Sequence, residues 1–196
     1  MTRRILPALV LCAALVFSAA APAQDLAAPV LLVAQRDFQD RFYGATILLV
    51  KPIGQDRHVG VIVNRPTPVT LGKMFPEHGP SQKIADPVYL GGPYSTDVLY
   101  ALVQRPDSPG SGSVQFTPDL FLALAGGTVD RIIEAQGDQA RFFAGMVVWS
   151  AGELRAEVKQ GLWYLRDPDT QLVLRKSTDG LWEELVGSAE RAAKAI

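Results

Sequence analysis

The chain has 196 residues, 19 Lys and Arg against 20 Asp and Glu, a formal charge of −1, and 48% hydrophobic residues. So balanced a charge lacks the basic footprint of a nucleic-acid-binding domain. The one cysteine, Cys12, lies in the N-terminal apolar run, so the rest of the chain has no thiol nucleophile, thiolate metal ligand or disulfide.

Arg3 and Arg4 precede an apolar run from Ile5 to Phe17, and small residues lead into Ala21-Pro22-Ala23. A basic start, an apolar middle and an A-x-A end predict a signal peptide over residues 1–23, cut before Gln24. The run is short for a span of about 20 residues and contains the helix breaker Pro7, so no stable membrane anchor is expected after cleavage. Leu11 before Cys12 also departs from the small residue that precedes a lipidated cysteine. Cleavage removes two arginines and no acid, leaving 17 basic and 20 acidic residues, a charge of −3. The remaining 173 residues, 24–196, suit one domain, expected in the periplasm or secreted.

Val30 to Ala34 and Ala45 to Val50 read as buried strands. Gly54-Gln55-Asp56 is a turn signal before the β-branched run His58 to Val63, which predicts a hairpin. Pro66 and Pro68 lack backbone donors, so the chain is expected to leave the sheet after Asn64 and Arg65. A short helical turn follows over Leu71 to Phe75, capped by Thr70. Val88 to Leu90 and Val98 to Gln104 are further strands, and Arg105 to Ser113 an exposed loop. Thr117-Pro118-Asp119 has the chemistry of a helix start, predicting a helix through Leu124 that stops at Gly126-Gly127.

Phe142 to Trp149 is the most apolar strand. Ser150 and Glu153 have capping-box spacing, predicting a helix from Ala151 to Gln160 ended by Gly161. Trp163 to Leu165 and Leu172 to Leu174 flank Asp167-Pro168-Asp169 and read as a second hairpin. A last helix, capped by Thr178 or Asp179, is expected over Leu181 to Ala193. Strands and helices do not alternate regularly, so the class is α+β.

Gly60-Val61-Ile62-Val63-Asn64-Arg65-Pro66, Leu71-Gly72, Val88-Tyr89-Leu90-Gly91-Gly92-Pro93, Trp149-Ser150-Ala151-Gly152-Glu153-Leu154 and Gly161-Leu162-Trp163 occur in this order. By these segments the chain resembles the YqgE/AlgH family of bacterial proteins. The resemblance implies an α+β fold whose bent antiparallel sheet forms a flattened barrel-like core with packed helices. It implies no reaction. The transcriptional-regulator label carried by similar proteins has no DNA-binding motif behind it here. The chain departs from the family pattern at Gln35-Arg36, Val103, Ser150 and Glu153, and in its signal peptide.

His58 and His78 are the only histidines and stand in segments of different kinds, without a cluster of further metal ligands. His58 is expected to open a strand at a sheet edge. There is no nucleophile elbow, phosphate loop or zinc-protease motif. Ser111 and Ser113 lie in a loop without a base nearby, and Glu183 and Glu184 point to different sides of a helix. No cofactor and no metal are expected.

Three places remain as candidate ligand-binding residues: Asn64 and Arg65 at a strand end, Gly91 and Gly92, and Trp149, Ser150 and Glu153 at a helix start. Arg65 offers a planar donor fork, glycines permit close approach, and a helix start receives anions. Their alternative roles are an internal turn, a tight β-turn, and a core tryptophan beside an ordinary cap. The leading expectation is a non-enzymatic binding or regulatory domain that engages an unknown protein or a small anionic molecule. A hydrolase using carboxylates or His58 is the alternative, and nucleic acid is not an expected partner.

Overall fold

The computed structural model describes residues 26–195. The signal segment, Cys12 and the cut after Ala23 lie outside the described residues. Ten strands form one curled sheet: β1 (Val30–Ala34), β2 (Ile47–Pro52), β3 (His58–Ile62), β4 (Pro66–Thr70), β5 (Pro87–Leu90), β6 (Tyr94–Gln104), β7 (Ser113–Thr117), β8 (Leu120–Ala123), β9 (Ala140–Trp149) and β10 (Trp163–Arg166). The helices are α1 (Leu71–Met74), α2 (Gly79–Gln82), α3 (Gly126–Gln136), α4 (Glu153–Lys159), α5 (Thr170–Val173) and α6 (Leu181–Lys194). The main path runs β10-β1-β2-β3-β9-β6-β8-β7, all antiparallel, with β4 on β5 and β5 parallel to β9. The result is a half-barrel with helices packed on it, the α+β class expected.

β9 organises the sheet because one of its edges serves two partners in turn. Phe143 and Ala144 pair with β5, and Val147 to Trp149 pair with β3. The change falls at Gly145, whose φ of 74° a side chain would resist. Gly91 bridges the gap: its N–H donates to the Ala144 carbonyl (2.9 Å), and its own carbonyl accepts from the Ile62 N–H (2.8 Å). Both faces of the curled sheet are covered. One holds the packing of α6 through Leu181, Leu185 and Val186, spaced as a helix stripe, and another that of α3 through Val129, Ile132 and Ile133.

Four expectations need correction. Thr117-Pro118-Asp119 is the turn between β7 and β8, not a helix start; the Thr117 hydroxyl donates to the Asp119 carboxylate at 2.8 Å, and all four residues of β8 are buried. A helix would have exposed part of that run. Gly126-Gly127 accordingly opens α3 rather than ending a helix. The second hairpin is also absent: β10 pairs with β1 instead, and Asp169 caps α5 by accepting from the Gln171 and Leu172 N–H groups (2.9 and 3.1 Å). An Asp in a turn and an Asp at a helix start look alike in sequence. Pro66 and Pro68 do not take the chain out of the sheet but place it at an edge, where β4 pairs only with β5. α6 starts after Gly180 (φ 69°) with no side-chain cap from Thr178 or Asp179.

Other local readings hold. Thr70 caps α1, accepting from the Lys73 N–H. α4 ends where Gly161 (φ 75°) turns the chain: the Gly161 N–H reaches the Val158 carbonyl and the Leu162 N–H that of Glu157, a Schellman closure. Among the described residues no helix is long and apolar enough to cross a membrane.

Candidate functional site

The candidate residues fall into two groups at opposite ends of β3. Asn64 and Arg65 follow the strand and adjoin Gly91 and Gly92, since the Arg65 carbonyl accepts from the Leu90 N–H at 2.9 Å. Trp149, Ser150 and Glu153 stand beside the strand's start, where His58 is paired with Trp149. His58 opens β3 as expected, but in the sheet interior between β2 and β9, 1% exposed, and not at an edge.

Most of these side chains carry internal duties. The Asn64 amide copies a strand: its Oδ1 accepts from the Ile47 N–H (2.8 Å) and its Nδ2 donates to the Ala45 carbonyl (3.0 Å). Gly91 and Gly92 allow the backbone of β9 to lie against them, a Cβ on either falling 2.3 Å or less from Gly145 or Met146 backbone atoms. The Glu153 carboxylate accepts from the Ser150 N–H at 2.8 Å, but Ser150 is not the cap that its spacing with Glu153 suggests: α4 starts at Glu153 after Gly152 (φ 78°), with no side-chain cap.

Arg65 differs. It is half-buried, its guanidinium lies 5.0 Å over the Phe42 ring, and among the described residues it makes no side-chain hydrogen bond or ion pair. Burial lowers its affinity for the proton, and Asp40 partly restores it. The loop that holds Phe42 is built by Asp40, whose Oδ1 accepts from the N–H groups of Phe42 and Tyr43, both at 2.7 Å. The loop therefore puts an aromatic platform beneath the guanidinium and a carboxylate near it, while leaving the donor fork without an acceptor.

The same loop connects Arg65 to the Trp149 group. Phe38, Phe42 and Tyr43 pack on the cluster that contains Trp149, Leu154 and Trp163. At its centre one oxygen of Glu157 on α4 accepts from both indoles, Trp163 at 2.7 Å and Trp149 at 3.1 Å. Burial raises the Glu157 carboxyl above its ordinary value; the two indoles pull it down, and Glu153 and Asp40 push it further up. Tyr43, nearby, is raised by burial first and by Glu157, Tyr94, Asp40 and Glu153 after it. Because the folded state holds its proton more tightly than the unfolded chain, Glu157 favours folding at low pH, and that contribution is lost as pH rises through the ordinary and then the raised value. Glu157→Gln should therefore gain stability on the parent as pH rises above about 4, the ordinary carboxyl value. Urea unfolding of both at several pH values checks this; a gap that stays constant or narrows contradicts it.

Sequence reasoning missed Glu157, Phe42 and Arg141. Arg141, 5% exposed, donates from Nη1 to the Val63 carbonyl (2.9 Å) and from Nη2 to that of Arg175, with its guanidinium 4.5 Å over the Tyr89 ring. A signal was present: a charge one residue before Phe142-Phe143, inside the most apolar strand. Among the described residues no group of three or more His, Cys, Asp or Glu side chains is placed to hold a metal ion.

A curled antiparallel half-barrel flanked by helices defines a mixed α/β protein. The AlgH-like family model, DUF179, matches residues 31–193, and the chain belongs to that family. A UPF0301 protein of Thermobifida fusca is 30% identical over 165 residues, covering 80% of this chain and 83% of that protein. A UPF0301 protein of Chlorobaculum tepidum is 29% identical over 161 residues, 81% of this chain and 84% of that one. Among solved structures, AlgH of Pseudomonas aeruginosa matches with a TM-score of 0.67 at 20% identity, over 88% of this chain and 92% of that one. A Corynebacterium diphtheriae protein matches with a TM-score of 0.67 at 18% identity, over 81% and 85%. At these identities the structural likeness concerns the fold alone.

Proposed function

We propose that this chain is an exported, non-enzymatic binding domain that receives a carboxylate or phosphate of a protein or small-molecule partner on Arg65. The observation that carries the reading is the guanidinium itself. Partial withdrawal of a cation from water costs free energy unless an acceptor replaces the lost hydration, and half-buried Arg65 has beside it only a ring face and the Asp40 carboxylate, with which it makes no ion pair. A planar anion seated on its fork supplies that acceptor in bidentate geometry. Phe42 beneath and the Asn64 turn beside it hold the fork in place before the partner arrives, which lowers the ordering cost of binding.

Export is part of the reading and rests on the N-terminal pattern. The intact mass of protein recovered from a periplasmic extract should correspond to a chain beginning at Gln24. A cytoplasmic product that keeps Met1 rejects export. Arg65→Ala should change folding stability by no more than about 2 kcal/mol, the upper scale of a cation–π contact, while removing anion binding. Loss of the fold in that variant would make Arg65 structural and end the proposal.

A further inference from the structure

Arg141 carries a charge that nothing beside it balances. It is 5% exposed and forms no ion pair among the described residues. The Val63 and Arg175 carbonyls and the Tyr89 ring face surround its guanidinium, and none of them brings a counter-charge. A cation that far out of water is costly unless a negative charge accompanies it.

The guanidinium borders a cavity of about 20 Å³, room for one water molecule or a monatomic ion of similar size. Its Nε–H donates to no group among the described residues. His58 Nδ1 is the one side-chain polar atom among those residues that is both fully enclosed and unpartnered, so the Arg141 Nε is open to the cavity that Arg141 lines. The connection from α5 to α6 covers one side through Leu174 and Lys176. Gln139 and Leu174 also line an open cleft of about 490 Å³, which gives the cavity a way out to solvent.

Lys176 adds a second cation to the wall. Its Nζ donates to the Asp86 carboxylate and to the Asp138 carbonyl (2.7 Å), and its third N–H has no acceptor among the described residues. Asp86 partly restores the proton affinity that burial takes from Arg141, but its Oδ2 is held by Lys176. Two cations therefore share one carboxylate, and the wall is net positive.

These groups select the occupant. Water accepts both free N–H groups but leaves the charge uncompensated, a cation is repelled, and a carboxylate or phosphate exceeds the space of one water molecule. We propose that Arg141 and Lys176 hold a monatomic anion, chloride, beneath the α5–α6 connection, at a site independent of Arg65. Bound there, the ion supplies the counter-charge of Arg141 and ties that connection to β9.

The test uses the mature chain labelled with ¹⁵N-arginine in methanesulfonate, an anion too large to enter, titrated with chloride at constant ionic strength. The Arg141 Nε–H resonance is assigned by its loss in Arg141→Met. The expected result is a saturable shift of that resonance with chloride. Lys176→Met, at a side chain 60% exposed, should keep the fold and weaken chloride binding at least about fivefold, the worth of one hydrogen bond. Asp86→Asn should instead tighten it, because the competing carboxylate is gone. An Arg141 resonance insensitive to chloride, as for a cavity holding only water, overturns the proposal. So does chloride binding that is unchanged in Lys176→Met or weakened in Asp86→Asn.

Discussion

Gly92→Ala is expected to destabilise the domain by at least about 3 kcal/mol, the upper end of ordinary overpacking, and so to remove a large share of a typical stability of about 5–15 kcal/mol. A Cβ at this position would lie 2.1 Å from the Met146 carbonyl carbon, 2.2 Å from its oxygen and 2.5 Å from the Val147 nitrogen. All three are backbone atoms of the strand to which β3, β5 and β6 are all paired, so no side-chain rotation relieves the clash. Either the crossover from β5 to β6 lifts off β9 or β9 itself bends. Gly126→Ala is the control, because a Cβ there meets nothing within 4 Å and alanine favours the helix it begins; it should be neutral or stabilising by up to about 1 kcal/mol. Urea unfolding of both variants decides the matter. A Gly92→Ala protein within about 1 kcal/mol of the parent would contradict the close approach of Gly92 to β9.

Arg141→Ala should cost about 3–5 kcal/mol. The substitution deletes a long buried side chain stacked on Tyr89 and leaves the Val63 and Arg175 carbonyls without their donors. Two effects oppose each other, since removing the cation also removes its desolvation cost. That cost shows in the guanidinium's lowered proton affinity, set by burial and only partly offset by Tyr89 and Asp86. Cavity and orphaned carbonyls should prevail in alanine, while Arg141→Met, which refills much of the volume, should lose clearly less. Arg141→Lys should not restore the parent, because one ammonium cannot stack on the ring and serve two carbonyls as a planar fork does. Hydrogen exchange of the segment around Arg175 should rise in Arg141→Ala. Unchanged exchange there would show that Arg141 does not tie that segment to β9 and the end of β3.

How much of this was legible in the sequence depended on whether a signal was local. The strands β1, β2, β3 and β9 announced themselves because they are buried along nearly all their length and read as apolar runs. Gly161 ended α4 as its type suggests, and Thr70 capped α1. Thr117-Pro118-Asp119 and Asp169 misled for a shared reason: short polar side chains satisfy a turn and a helix start with the same atoms, and only the pairing of β7 with β8 and of β10 with β1 settles which is used. In sequence the two proline residues of β4 read equally as an exit, because an edge strand and a departing chain both tolerate a missing N–H.

The candidate residues stood out in the sequence, but their arrangement did not. Asn64, Arg65, Gly91 and Gly92 do adjoin one another. Trp149, Ser150 and Glu153 lie at the far end of β3, and what links the two groups, the loop with Asp40, Phe42 and Tyr43, has no periodicity or motif to mark it. Glu157 escaped notice because a glutamate on a short helix usually faces water, and its position between two indoles depends on Trp149 and Trp163 coming from separate strands.

The most direct test of the proposed function observes the Arg65 side chain itself. Mature protein labelled with ¹⁵N-arginine is titrated with acetate, succinate and inorganic phosphate while the Arg65 Nε–H resonance, assigned by its loss in Arg65→Ala, is followed. The account predicts a saturable downfield shift with at least one of these anions and slowed exchange of that proton with water, with chloride at matched ionic strength producing neither. An Arg65 resonance that responds to no anion, or only as it responds to chloride, would contradict it.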